Sequence, residues 1–179
     1  MAEALRGELW RHRGIFVAVV LVLFFVRLLP LGAPAGGWPA PDLMLCLILA
    51  WVQRRPDYLP ALMIALVVLI EDFLLMRPPG LWAAIVVLAA EFLRARATLT
   101  RELGFAMEWL LIAVLMTAML LAYRLVFAIT FLPQPGFGFA MVQVLGSILS
   151  YPLVVGLSRL ALGVHKPAMG EVDAHGRRM

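Results

Sequence analysis

Between Pro41 and Arg94 three apolar runs are joined by two four-residue corners, Arg54-Arg55-Pro56-Asp57 and Arg77-Pro78-Pro79-Gly80. Proline lacks an amide hydrogen and clashes with the preceding turn, so each corner stops one helix and turns the chain into the next. Links this short place successive helices side by side and antiparallel. The runs are apolar, yet Asp42, Glu71 and Asp72 sit inside them or at their edges. Ionisable groups at such positions are costly in lipid and are normally paired inside a bundle.

The whole chain repeats this pattern. It is 64% hydrophobic and 15% charged, with a mean hydropathy of +0.97. A soluble domain is about 45–50% apolar and about 25% charged. The relevant solvent is therefore the bilayer, where a chain of this kind must satisfy its backbone within helices. The expected fold class is an all-α integral membrane protein, a six-transmembrane-helix bundle forming a single domain over residues 1–179.

The spans are expected at about 15–29, 42–56, 58–76, 79–94, 102–132 and 137–162. Residues 1–13 read as a short interfacial helix, with Trp10 and several arginines at headgroup level, running into the first span without a break. The rival reading is a signal peptide with the Ala33-Pro34-Ala35 stretch as its cleavage site, but Arg27 interrupts the apolar region and the rest remains a membrane chain. Asp42 is placed to cap the second run, Pro60 to sit in the first turn of the third, Pro79 to open the fourth and Thr100 to cap the fifth. The second run spans only about 18 Å, against about 30 Å of hydrocarbon. The tail, residues 165–179, is polar and expected to be mobile.

Six spans with both termini cytoplasmic leave all but three of the 15 basic residues on one side. The positive-inside rule favours that arrangement. The exceptions are Arg27, Arg77 and Arg124, each within or abutting a span. With Asp42, Glu71 and Asp72 they fall in one layer on the opposite side. An outer polar network is expected there, with Arg27 or Arg124 partnering Glu71 or Asp72, and with different partners for the two adjacent acids. The same positions also suit arginines snorkelling to headgroups or a ligand pathway. Glu91 is expected to pair with Arg94 one turn away, and Glu108 lies near Arg101 along the chain.

The sixth run carries Gly146, Ser147, Ser150 and Pro152. Small residues four apart allow close helix approach, either inside the bundle or against a partner helix. A proline in mid-helix should kink it.

Catalysis is not expected. The three histidines, His12, His165 and His175, are near the termini, and no nucleophile motif, phosphate loop or metal-binding pattern is present. The single cysteine, Cys46, excludes a disulfide within the chain. No cofactor or nucleic-acid partner is expected; the basic residues flank apolar runs and suit anionic lipid.

Pro41-Asp42-Leu43-Met44-Leu45, then Arg54-Arg55-Pro56, then Asp72-Phe73-Leu74 and Pro79-Gly80-Leu81, together resemble the MreD family of rod-shape-determining membrane proteins. Two positions depart from the family pattern: Glu71 stands where an apolar residue is usual, and Pro79-Gly80 replaces P-L-G. The resemblance implies a bacterial inner-membrane subunit of the elongation complex, supporting lateral peptidoglycan synthesis and rod shape. It implies an MreC-like single-span partner, with MreB, RodA and a class B penicillin-binding protein in the same complex. It also implies a fold similar to the S-components of energy-coupling-factor transporters. The alternative is a small-molecule or lipid-binding membrane subunit with an outer pocket at Arg27, Glu71, Asp72 and Arg124.

Overall fold

The computed structural model describes residues 2–29, 39–100, 104–131 and 136–162. Helices α1 (Ala2–Leu28), α2 (Leu43–Arg54), α3 (Ala61–Leu74), α4 (Leu81–Ala95), α5 (Ala97–Thr100), α6 (Phe105–Ile129) and α7 (Phe137–Leu162) follow in order, with a 3₁₀ turn at Pro56–Tyr58. Among the described residues there is no strand.

Among the described residues three helices are long and apolar enough to cross a membrane: Gly7–Leu28, Phe105–Ile129 and Phe137–Leu160. Residues 2–28 form one continuous helix, so the segment expected at the interface and the first expected span are not separated by a break. The next three helices are shorter than the runs in the sequence. At 12, 14 and 15 residues they rise about 18, 21 and 22 Å, less than the hydrocarbon thickness. The proline corners take up the difference. Pro60 is the N-cap of α3 rather than its first turn. Gly80, with φ of 89°, is the N-cap of α4, so the helix opens at Leu81 and not at Pro79. Helix α6 begins after Gly104, whereas Thr100 ends α5 and donates its hydroxyl back to the Arg96 carbonyl at 3.1 Å. The tail at 165–179 and the loop at 30–38 lie outside the described residues.

The bundle is built around α2, which contacts α1, α4 and α7. Every α2 residue from Met44 to Arg54 is buried. A helix enclosed this way meets protein rather than lipid, so its short length costs no hydrophobic mismatch. Helix α1 presents His12, Phe16, Val20 and Phe24 to the core at four-residue spacing. Leu62, Leu88, Leu110, Val114, Leu149 and Leu153 are exposed. An outer surface carrying so many large apolar side chains fits a lipid environment and not water.

Helices α2 and α7 run parallel. The Asp42 amide donates to the Ser147 hydroxyl at 2.8 Å, and the Trp51 indole to the Ser158 hydroxyl at 3.2 Å. Pro41 packs against the Cα of Gly146, where an added Cβ would lie 3.7 Å from the proline ring. The small residues of α7 are thus used inside the chain: Gly146 and Ser147 receive the start of α2. Ser150 and Pro152 are half-buried on the same helix. Because α2 starts level with Ser147, ten residues into α7, it begins about 15 Å below that helix's start. Among the described residues no central helix lies above that level.

Candidate functional site: a cation-lined cavity above the central helix

The space left by the short α2 is a cavity of about 560 Å³. Its floor is Asp42, Leu45 and Ser147; its walls come from the end of α1, the α3–α4 corner, the second half of α6 and the first half of α7. Arg27, Arg77 and Arg124 all line it. So do Trp82, Tyr123, Phe127 and Phe139, which give it an aromatic wall.

The polar floor is already engaged. Asp42 accepts from the Leu45 amide at 3.0 Å and so caps α2, while Ser147 donates onward to the Gln143 carbonyl at 2.8 Å. Arg27 forms an ion pair with Glu71 of α3, where the glutamate is buried and the arginine is one-third exposed toward the cavity. Arg77 lies over the Trp82 ring, 5.7 Å from its centroid, and Arg124 over Phe137 at 5.2 Å. Arg77 forms no ion pair among the described residues.

Asp72 differs from the expectation of an arginine partner. Its Oδ2 accepts from the amides of Gly80 at 3.0 Å and Ala83 at 3.4 Å, the first exposed N–H groups of α4. A carboxylate at a helix N-terminus satisfies orphan donors and complements the helix dipole. The intervening corner makes the reach possible. The Arg77 amide bonds to the Asp72 carbonyl at 2.9 Å and the Met76 amide to the Phe73 carbonyl at 3.3 Å, a Schellman closure. Met76 takes the left-handed position, φ 52°, that glycine usually fills. Asp72 Oδ1 is buried with no hydrogen-bond partner among the described residues.

At the far end of α2 lies a second charged cluster. Arg54 and Glu108 pair at 2.6 Å, with side-chain exposures of 4% and 1%. Tyr151 donates to the same glutamate at 3.0 Å, and Arg54 reaches the Tyr151 hydroxyl at 3.5 Å and the Ala50 carbonyl at 3.4 Å. The sequence puts Arg54 in a basic corner and Glu108 near Arg101 along the chain; Arg101 lies outside the described residues, and the Arg54–Glu108 pair, which the sequence does not announce, ties α2 to α6 and α7 in the core. Sidedness was the available signal: Arg54 ends one run and Glu108 starts a later antiparallel one, so both fall at the same end. The neighbouring corner is held by local contacts. Arg55 lies over Tyr58 at 5.9 Å, Pro56 opens the 3₁₀ turn, and Arg94 bonds both Glu91 and the Leu59 carbonyl.

Of the residues singled out in the sequence, the fold brings Arg27, Asp42, Arg77, Arg124 and Ser147 to one cavity. Glu71 stands behind Arg27, and Asp72 and Gly80 build the corner beneath Arg77. Pro79 is exposed in that corner. Among the described residues no three His, Cys, Asp or Glu side chains converge as a metal site. The cavity is suited to binding: it offers cations, aromatic faces and few acceptors. No family model, curated protein or solved structure matches this chain.

Proposed function

We propose that this chain is a non-catalytic six-span inner-membrane subunit of the MreD kind, with both termini cytoplasmic and a fold of the S-component type. It acts in the elongation complex by holding an MreC-like single-span partner. MreB, RodA and a class B penicillin-binding protein are its wider partners. The observation that supports this most is where the resemblance residues sit. Asp42 caps the central helix, Arg54 fastens it to α6 and α7, and Asp72 with Gly80 builds the α3–α4 corner. They hold the start and end of the central helix and the corner after α3, so a chain sharing them in order has reason to share the architecture. The three short helices count as spans in this reading because their neighbours and corners carry them across. The outward apolar faces offer a transmembrane partner its contact, since the small-residue face of α7 is occupied by α2.

Crosslinking with mass spectrometry on native membranes tests it. The expected result is crosslinks between this chain and an MreC-like single-span protein. Absence of any elongation protein, with the chain recovered intact, overturns the reading.

A second reading is favoured by one observation, the cavity. A space of about 560 Å³ falls within the range of small-molecule sites. On this reading the chain binds a small molecule or lipid on the outer side, beside Arg27 and Arg124, with Glu71 and Asp72 supporting the walls. The two readings are compatible, since a ligand can occupy the bundle while its outer face holds a partner.

A further inference from the structure

We infer that the cavity above α2 takes an uncharged amphiphile whose polar end presents acceptor oxygens, such as an ester, an inference that rests on the ligand-pocket reading and names its ligand class. The charges around the cavity balance. Arg27, Arg77 and Arg124 line it. Their formal charges are matched by Asp42 on the floor, Glu71 behind Arg27 and Asp72 in the corner beneath Arg77. All six are engaged within the protein: Arg27 with Glu71, Arg77 over Trp82, Arg124 over Phe137, Asp42 at the start of α2 and Asp72 at the start of α4. A ligand with a net charge would lose hydration on entering and meet no uncompensated charge in return. An uncharged ligand avoids that cost.

Hydrogen-bonding capacity is not balanced in the same way. A guanidinium carries five N–H donors and no acceptor, and one carboxylate or one aromatic ring engages only part of that fork. Arg27 and Arg77 therefore bring surplus donors to a lining whose one carboxylate, Asp42, already accepts from the Leu45 amide. Acceptor oxygens without charge complement such a lining. The walls set the rest of the ligand. Trp82, Tyr123 and Phe127 form a contiguous aromatic surface, with Trp82 edge-on to Tyr123 at 5.5 Å and Tyr123 against Phe127 at 4.7 Å. Leu45, Met116 and Leu120 extend it toward the floor. A hydrocarbon segment attached to the acceptor group has a matching surface there. Its source is either a neutral lipid ester from the bilayer or a water-soluble ester.

The test uses the full chain in phosphatidylcholine nanodiscs doped equally with dioleoylglycerol, dioleoylphosphatidic acid and dioleoyl-trimethylammonium-propane, which share chains and esters and differ in charge. Native mass spectrometry reads the retained lipid. Monobutyrylglycerol, uncharged and water-soluble, is the soluble probe, read in the same way. The variants are Ala140→Phe to fill the cavity without changing charge, Asp42→Asn to remove one negative charge while keeping a capping side chain, Arg77→Gln to remove one positive charge, and Arg159→Gln as an exposed charge on the far part of α7. Wild type should retain dioleoylglycerol over both charged lipids, and Ala140→Phe should abolish that retention. Asp42→Asn should move the preference about tenfold toward phosphatidic acid, and Arg77→Gln about tenfold toward the cationic lipid. That pattern, with no effect of Arg159→Gln, supports the inference with the bilayer as the source. Retention of monobutyrylglycerol that is lost in Ala140→Phe, without retained dioleoylglycerol, supports it with a soluble source. Wild type retaining a charged lipid best, or all three lipids equally, with loss in Ala140→Phe, overturns the uncharged assignment and leaves the pocket reading standing. No retained probe, with Ala140→Phe indistinguishable from wild type, overturns both. A shift in Arg159→Gln equal to that in Arg77→Gln overturns the inference in favour of general headgroup attraction.

Discussion

Replacing Glu108 with alanine should be among the most damaging single changes in this chain. The carboxylate meets Arg54 at 2.6 Å and receives the Tyr151 hydroxyl at 3.0 Å, with both charges almost wholly buried. At an effective dielectric near 20, two unit charges at that separation attract by about 6 kcal/mol. Desolvation of both ions offsets most of this, so the pair adds little relative to a well-packed apolar pair. Removing one partner is different, because Arg54 stays buried without its counter-ion. That typically costs about 3–5 kcal/mol. Scaled by the midpoint shifts of domains this size, the loss is about 10 °C. The assay is reversible unfolding in mixed micelles, comparing wild type, Glu108→Ala, Arg54→Met and the double variant Arg54→Met/Glu108→Leu. Each single variant should fall by a similar amount, and the double should recover most of the loss. A Glu108→Ala protein as stable as wild type would refute the reasoning. A double variant no better than the singles would do the same, since it would trace the loss to packing and not to an orphaned charge.

Other consequences are smaller and ranked by exposure. Glu71→Gln should cost no more than about 1 kcal/mol in the same assay, because the one-third exposed Arg27 can turn to the cavity or headgroups; a loss as large as that of Glu108→Ala would contradict this. Asp72→Ala removes the acceptor for the Gly80 and Ala83 amides and should cost about 1–2 kcal/mol, with faster hydrogen exchange confined to the first turn of α4. Gly80→Ala should lose about 1–2 kcal/mol through the left-handed φ alone, since a Cβ there meets nothing among the described residues. Met76→Gly at the left-handed end of α3 should be neutral or stabilising by up to about 1 kcal/mol, and a clear destabilisation would show that the Met76 side chain matters to the corner.

How much of this was visible beforehand differs from residue to residue. The sequence offers Arg27 as one of two possible partners for Glu71 because both are charges inside apolar runs, at the same expected depth. Asp42 as a cap was legible for a local reason: it follows Pro41 and precedes an unbroken run. Asp72 was not legible as the support of α4. Its reach to the Gly80 amide needs the Schellman closure at Met76 and the left-handed Gly80, and propensity alone does not assign a left-handed conformation to methionine. The burial of Arg54 is not legible from its neighbours Arg55 and Pro56; it is set by Glu108 and Tyr151, distant in the chain. The cavity is a consequence of length mismatch. A helix of 12 residues lies beside one of 26, and the space above it appears only once Ser147 fixes their relative level.

The proposed role in the wall-elongation machinery is tested most directly by controlled depletion of this protein in its source cell. Cell shape and lateral incorporation of a fluorescent peptidoglycan precursor would be followed together. The account predicts that depleted cells widen and round as lateral incorporation falls, with rescue by the wild-type chain and by the charge-neutral Arg54→Met/Glu108→Leu variant. Depleted cells that keep their rod shape and their lateral incorporation would contradict it.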